Sequence, residues 1–479
     1  MPSIGGNEAR LRETRNAGAI GESLGQTSQQ VQNAPMKFPD MLASRRGRLA
    51  AFFLMYITEG IPLGFAAVTM ATQMRRQGMS AAAIGAFTAA IYLPWAFKWA
   101  VGPLVDVVSS DRFGRRRAWI IAMQLGMVAS LFVLQAAGLD AGIGVLTTLI
   151  IIHNIFAATQ DVAIDALAVS TLKEDERGMA GGLTFAGAYL GQIVGGACAL
   201  FLVKHIGFDN TYFFVAGAIL CVTVFVVLPL REPVLPRVAA VGSGLARISA
   251  EVQLFARNVW GAFTESRASA VGLAFALLPA GAMALGLSLQ QTLAVDLGFD
   301  DDKVASLSLW TTLCQSAGCI AGGWLSDRLG RRRSLAWFIF GMTPVTLWLA
   351  FTLWQAGWIH PVDPAARASV VVPAIVVTVF WVTSLLYSLA NGMMYGARAA
   401  LFMDVSNPAV AATQFTAYMA LLNLGISYSA KWQGWAVDRF GYPATLLADA
   451  LFGLLCLIFL AAMGEIRARK TITVAPRVD

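Results

Sequence analysis

From residue 49 onward the chain repeats one pattern, an apolar run followed by a short polar break. Each run has roughly the 20 residues that a helix needs to cross the hydrocarbon core of a bilayer. A backbone facing lipid must satisfy its own hydrogen bonds, which selects helices. The pattern predicts spans at 49–72, 82–104, 118–137, 143–168, 180–203, 211–230, 270–295, 304–325, 335–356, 369–397, 409–430 and 442–463, twelve in all. The expected fold class is therefore an all-α membrane protein.

Composition excludes the competing classes. Hydrophobic residues make up 57% of the chain and charged residues 13%, about half the charged share of a soluble domain. A soluble chain this apolar would expose large apolar patches. The net charge of +7 sits in short clusters between apolar runs, not along one polar face, so no nucleic-acid partner is expected. The lipid bilayer is the expected partner, and the chain is expected to be monomeric. Cys198, Cys221, Cys314, Cys319 and Cys456 all lie in apolar stretches without a Cys-x-x-Cys pair, which fits buried small residues. With three histidines, no metal site is expected.

Positive charge predicts the orientation. Most arginines and lysines fall in the tails and in the even-numbered breaks, among them Arg115 to Arg117, Arg231 to Arg267 and Arg331 to Arg333. Both termini are thus expected in the cytoplasm. Residues 1–47 read as a mobile tail without a cleavable signal, and 466–479 as a second tail. The longest break, 231–268, divides the chain into bundles at 48–230 and 269–465. Its spaced Leu245, Ile248, Val252, Phe255 and Val259 predict an amphipathic helix on the membrane face.

The two halves share a motif. Residues 102–117 read GPLVDVVSSDRFGRRR and residues 322–333 read GGWLSDRLGRRR. A parallel repeat of six spans is a transporter layout. The motif resembles the signature loop of the major facilitator superfamily, which implies two six-helix bundles around a central cavity. The gate-motif residues are then Gly102, Asp106, Asp111, Arg112, Gly114 and Arg115 in the first half. In the second half they are Gly323, Asp327, Arg328, Gly330 and Arg331. Four residues intervene between Asp106 and Asp111, so either aspartate can hold the motif position. Small residues such as Gly102 and Gly323 are expected to let helices approach closely. The carboxylates are expected to form ion pairs or helix-end contacts of an inner gate, while the arginines also anchor topology. A third DRFG, residues 438–441, reads as coincidence.

Finer stretches resemble one group in that superfamily. FAATQDVAIDALAVSTLKEDERG (156–178), FMDVSNPAVAATQFTAY (402–418) and TEGIPLGF (58–65) are similar to the AmpG-type muropeptide permeases, relatives of the acetyl-coenzyme A transporters. That resemblance implies a bacterial inner-membrane importer of a glycopeptide, the anhydro-muropeptide. It also implies a proton gradient as energy source and no cofactor.

Charges inside spans are costly and mark candidate sites. Glu59 sits mid-span beside Gly60 and Pro62, which weaken the helix ladder; its bland alternative is an ion pair with Lys98. Asp161 and Asp165 lie four apart on one helix face with Asn154. Two carboxylates this close repel when both are ionised, which suits proton exchange. Asp161 is the leading proton carrier, with Glu59 and Asp165 as competitors; Asp165 could instead pair with Arg115 to Arg117. Candidate cargo ligands are Asn154, Gln160, Lys98 and Trp95, with Tyr92 and Trp99 nearby. The second half offers Gln315, Asn391, Tyr395, Arg398, Gln414 and Asn423. Arg398 is the strongest candidate for a carboxylate, because guanidinium binds one bidentately. Competing functions are an exporter of drugs or other organic anions and, from another class, a polytopic membrane enzyme. No nucleophile elbow or phosphate-binding glycine loop supports the enzyme.

Overall fold

The structure is a computed structural model. It describes residues 40–107, 114–232, 267–287, 289–361, 372–406 and 411–463, with isolated positions between 249 and 261. The amphipathic linker helix and the two tails lie outside the described residues, as do Asp111 and Arg112 and the side chains of Asp106 and Arg115. The described residues are helical, with no strand among them.

Ten helices are long and apolar enough to span a bilayer. Spans 1 to 6 are Arg45–Arg76, Ala81–Ala100, Arg116–Ala137, Ile143–Thr171, Gly182–Ile206 and Phe208–Val227. Spans 8 to 10 are Asp301–Leu329, Arg331–Gln355 and Ala374–Val405. Spans 11 and 12 run together as Gln414–Ala462, but Gly441 breaks them with φ +79°. Counting these as two, and span 7 as a broken helix, gives the expected twelve.

Span 7 corrects the expectation of an unbroken helix over 270–295. It consists of Arg267–Leu277 and Leu289–Asp296, joined by non-helical chain and a single 3-10 turn at Ala284–Gly286. Pro279 has no N–H to donate and disfavours helix before it. Gly281 then takes φ +87°. The freed backbone groups find partners within the second bundle. Gly281 N donates to Gly453 O at 3.1 Å. Met283 N and Ala284 N donate to Asp449 Oδ2 at 2.8 and 2.9 Å, and Tyr387 Oη donates to Ala282 O at 2.8 Å. Gln433 Nε2 holds the other Asp449 oxygen at 2.6 Å. Irregular backbone at membrane depth survives only where protein or a cavity receives it.

Two glycine seams set the packing. A Cβ on Gly60, Gly191 or Gly195 would meet Ala188 O, Ile57 O or Ile61 O at 1.9 to 2.2 Å, so spans 1 and 5 touch backbone to backbone. Spans 8 and 10 do the same through Gly318, Gly322, Gly392 and Gly396. The spacing is small-xxx-small on both partners, which favours close approach in lipid. This revises the role expected of Gly102 and Gly323. A Cβ on either would meet nothing within 4 Å, and the close contact belongs to Gly322.

Ion pairs join the two bundles at the end opposite the arginine-rich loops, which we call the sealed end. Arg75 of span 1 pairs with Asp296 of span 7 at 2.6 Å, both side chains almost fully buried. Tyr442 donates to the same carboxylate at 2.6 Å. Arg76 and Gln73 bind Asp301, and Lys204 binds Asp302. Spans 2 and 11 cross at Gly85 and Gly434, where a Cβ on either would strike the other helix's backbone at 2.5 and 2.3 Å. At the arginine-rich end the described ion pairs stay within one bundle. Arg48 pairs with Glu176 at 2.5 Å. Glu232 accepts Arg116 N and Arg117 N at the start of span 3. In the second bundle Arg332 donates to Leu460 O and Ala461 O, so each half ties the start of its third span to the end of its sixth.

Candidate functional site

The first bundle gathers its intramembrane charges at one level. The regular helix of span 2 carries Pro94 in its last turn and ends at Ala96, and Lys98 begins a one-turn 3-10 segment. Lys98 Nζ donates to Asp161 Oδ2 of span 4 at 2.7 Å. The ammonium also sits 5.6 Å from the ring centroid of Trp95, within cation–π range. Asp165 is exposed and accepts Tyr56 Oη of span 1 at 2.5 Å. Glu59 is within electrostatic reach of Asp161, Lys98 and Asp165, and its Oε2 is buried with no hydrogen-bond partner. Lys98 therefore pairs with Asp161 and not with Glu59, and Asp165 has Tyr56 as its partner. Three carboxylates share one ammonium, a charge imbalance that a bound proton would relieve.

The second bundle presents the opposite imbalance. Arg398 of span 10 is 2% exposed, and its Nη2 is buried with no hydrogen-bond partner. The guanidinium lies over the Tyr395 ring at 4.5 Å. No carboxylate faces it among the described residues, because Asp404 is taken by Arg331 at 2.6 Å. Burying an uncompensated charge costs roughly several kcal/mol, a cost that an anion beside the guanidinium would offset. Across the bundle interface, Tyr189 Oη lies 3.7 Å from Cys319 Sγ.

Between these levels and the sealed end lies a partly open cavity of about 80 Å³. Spans 1, 2 and 5 line one wall; spans 7, 8 and 10 line the other. Its polar groups are neutral: Gln192, Gln290, Gln291, Gln315, Tyr92 and Ser308 among them. The 3-10 turn of broken span 7 forms part of the wall through Leu285 and Gly286. Gln290 is 5% exposed and its Nε2 has no partner. Leaving such a buried donor unsatisfied costs about 1–3 kcal/mol.

The other expected ligands divide. Gln315 lines the cavity, and Asn391 Nδ2 would lie 3.5 Å from a Cβ on Gly286. Gln160 is fully buried and donates to Thr58 Oγ1 at 2.9 Å, in a network with Gln124 and Thr223. Asn154 accepts Trp95 Nε1 at 3.2 Å and donates to Ile150 O, which positions the indole. Gln414 is buried and Asn423 half-buried on span 11. In the gate motif, Asp327 pairs with Arg331 at 3.2 Å, and Arg328 stacks on Trp324 at 4.0 Å. Gly330 and Gly114 turn the chain at φ +92° and +86°. Sequence reasoning passed over Gln192, Gln290 and Gln291. The adjacent glutamines inside an apolar run after a Pro/Gly break were the available signal.

A family model described as Major Facilitator Superfamily matches residues 49–430. The chain is 26% identical over 421 residues to an anhydromuropeptide permease of Escherichia coli (strain K12), covering 86% of this chain and 79% of that one. It is 24% identical over 327 residues to a putative transporter AmpG 4 of Rickettsia felis, covering 67% and 76%. Among solved structures, a D-xylose-proton symporter superposes with TM-score 0.62 at 14% identity, covering 86% of this chain and 96% of that one. A bacterial homolog of the human lysosomal transporter Spinster, solved inward-facing and unoccupied, gives TM-score 0.63 at 14% identity, covering 88% and 97%. At those identities the structures speak for the fold alone.

Proposed function

The chain belongs to the major facilitator superfamily, a family of membrane transporters, and from that premise we propose that it imports anhydro-muropeptides across the bacterial inner membrane, driven by protons. The observation that carries this reading is the opposite charge of the two bundles on the arginine-rich side of the cavity. Three carboxylates crowd Lys98 in one bundle, while Arg398 in the other has no carboxylate partner among the described residues. Proton and anionic cargo would each neutralise one bundle.

The arginine-rich end faces the cytoplasm in this proposal, with both termini inside. The ion pairs at the sealed end then close the periplasmic side, and the cavity opens inward. Asp161 is the proposed proton carrier. When protonated it loses its hold on Lys98, which becomes available to an anionic group of the cargo. Release of the proton to the cytoplasm restores the Lys98–Asp161 pair and expels the cargo. Coupling follows because Lys98 serves the carboxylate or the cargo, not both.

The test is uptake of labelled anhydro-muropeptide into right-side-out vesicles, with and without an imposed proton gradient. Accumulation only with an inward gradient supports the proposal. Accumulation unaffected by the gradient removes proton coupling, and no uptake at normal expression removes the cargo.

A further inference from the structure

Asp449 of span 12 is 1% exposed and belongs to neither the Lys98 cluster nor the cavity lining. Its Oδ2 accepts Met283 N and Ala284 N from the break in span 7 at 2.8 and 2.9 Å, and its Oδ1 accepts Gln433 Nε2 of span 11 at 2.6 Å. The titratable group facing it from span 10 is Tyr387, whose hydroxyl donates to Ala282 O in the same break. Span 9 packs Met342 against Gly281. Cys456, about two turns along span 12, donates to Gly453 O. No lysine, arginine or histidine pairs with the carboxylate among the described residues.

Burying a charge without an opposite one is costly, and a bound proton removes that cost. The surroundings of Asp449 can serve either state. Gln433 is fully buried, and its Oε1 has no hydrogen-bond partner. Turning the carboxamide over exchanges donor for acceptor. Nε2 donates to the ionised carboxylate, and Oε1 can accept the proton of the neutral acid. Oδ2 faces the two backbone amides in both states. Hydrogen bonds to an ionised acceptor are about twice as strong as those to a neutral one. Ionised Asp449 therefore grips the break, and protonated Asp449 relaxes it.

We infer that Asp449 is a positioning residue whose proton state, with the turn of the Gln433 carboxamide, sets how firmly the break in span 7 is held. The chain just after the held amides carries this to the cavity: Leu285, Gly286 and Leu287 line its wall, and Gln290 follows. Asp449 thus acts on the wall through span 7, from the bundle opposite Asp161.

The experiment is hydrogen–deuterium exchange on purified full-length protein in detergent, read on the fragment carrying Met283 and Ala284 and corrected for the intrinsic pH dependence of exchange. Protection in the native protein is expected to fall about tenfold from about pH 8 to about pH 5, because the stronger charge-assisted bonds are present while the carboxyl is ionised and are lost as pH falls. Asp449→Asn copies the protonated state, with its amide donating to Gln433 Oε1, and is expected to show the low-pH level throughout. Gln433→Lys places a cation beside the carboxylate and is expected to hold the high-pH level throughout. The two variants move in opposite directions, so either decides if the other does not fold. Tyr387→Phe removes the other side-chain hold on the break and is expected to lower protection by one factor at every pH. That parallel shift is the pattern a merely structural Asp449 would give. A flat native profile overturns the inference, as does a native slope retained in Asp449→Asn or Gln433→Lys. No cargo and no proton gradient enter these measurements. Failed uptake would sink the importer reading and leave the Asp449 switch standing, and a flat native profile would do the reverse.

Discussion

Asp438 accepts hydrogen bonds from Ala81 N at 3.0 Å and Ala82 N at 2.7 Å, so a carboxylate at the end of span 11 caps the first helix turn of span 2 in the opposite bundle. Ser80 Oγ takes the next donor, Ala83 N, at 3.1 Å. Free N–H groups at a helix start attract a negative charge. Asp438 opens the third DRFG stretch, and its cap joins span 11 to span 2 across the two bundles. Asp438→Ala should loosen the sealed end. Spin labels at the exposed positions Gln77 and Lys303, one on each bundle, should show a broader distance distribution with a longer-distance population. An unchanged distribution would make the cap incidental.

The Arg75–Asp296 pair makes a different prediction because it is buried. Removing one partner strands the other charge, which costs about 3–5 kcal/mol. Arg75→Ala should therefore lower the unfolding temperature clearly in detergent, whereas Arg75→Ala with Asp296→Ala should recover part of the loss. Tyr442 also binds Asp296, so recovery should be incomplete. Equal stability of single and double variants would show that the pair is solvated in solution.

At the arginine-rich end, Glu176 gives a pH dependence outside the membrane spans. Hydrogen bonds from Arg48 hold its carboxyl down from an ordinary 4.5 to about 2. Arg48 Nε and Nη2 reach its two oxygens at 2.9 and 2.5 Å. The folded value is the depressed one, so this contribution is fully present above about pH 4.5 and is lost as pH falls towards 2. Glu176→Gln should flatten that segment of the stability curve, measured by thermal unfolding between pH 2 and 6. A wild-type slope in the variant would exclude Glu176 as its source.

The twelve-span layout was legible because bilayer thickness imposes a length on every helix, and the paired arginine loops marked the repeat. Glu59, Asp161 and Arg398 were legible because charge in hydrocarbon is rare. What escaped reading depended on partners far apart in sequence. The 81–82 amides gave no hint of Asp438, and the break in span 7 is tolerated only because Asp449, Tyr387 and Gly453 receive its backbone. Gly322 and Gly323 are adjacent and chemically identical. Only the facing helix decides which one needs to lack a Cβ, so the motif glycine drew attention from the packing one.

The span 1–span 5 seam predicts a contrast among glycines of one helix. A Cβ on Gly195 would lie 1.9 Å from Ile61 O, and one on Gly191 would lie 2.2 Å from Ile57 O. Both obstacles are backbone atoms, which cannot rotate aside, so Ala at either position should exceed the about 1–3 kcal/mol typical of core overpacking. Gly182 on the same span has nothing within 4 Å of a Cβ. Gly182→Ala should be neutral or slightly stabilising, since Ala is the better helix former. Expression level and unfolding temperature of the three variants in detergent check this, and a Gly195→Ala variant as stable as Gly182→Ala would show that the helices can part there without cost.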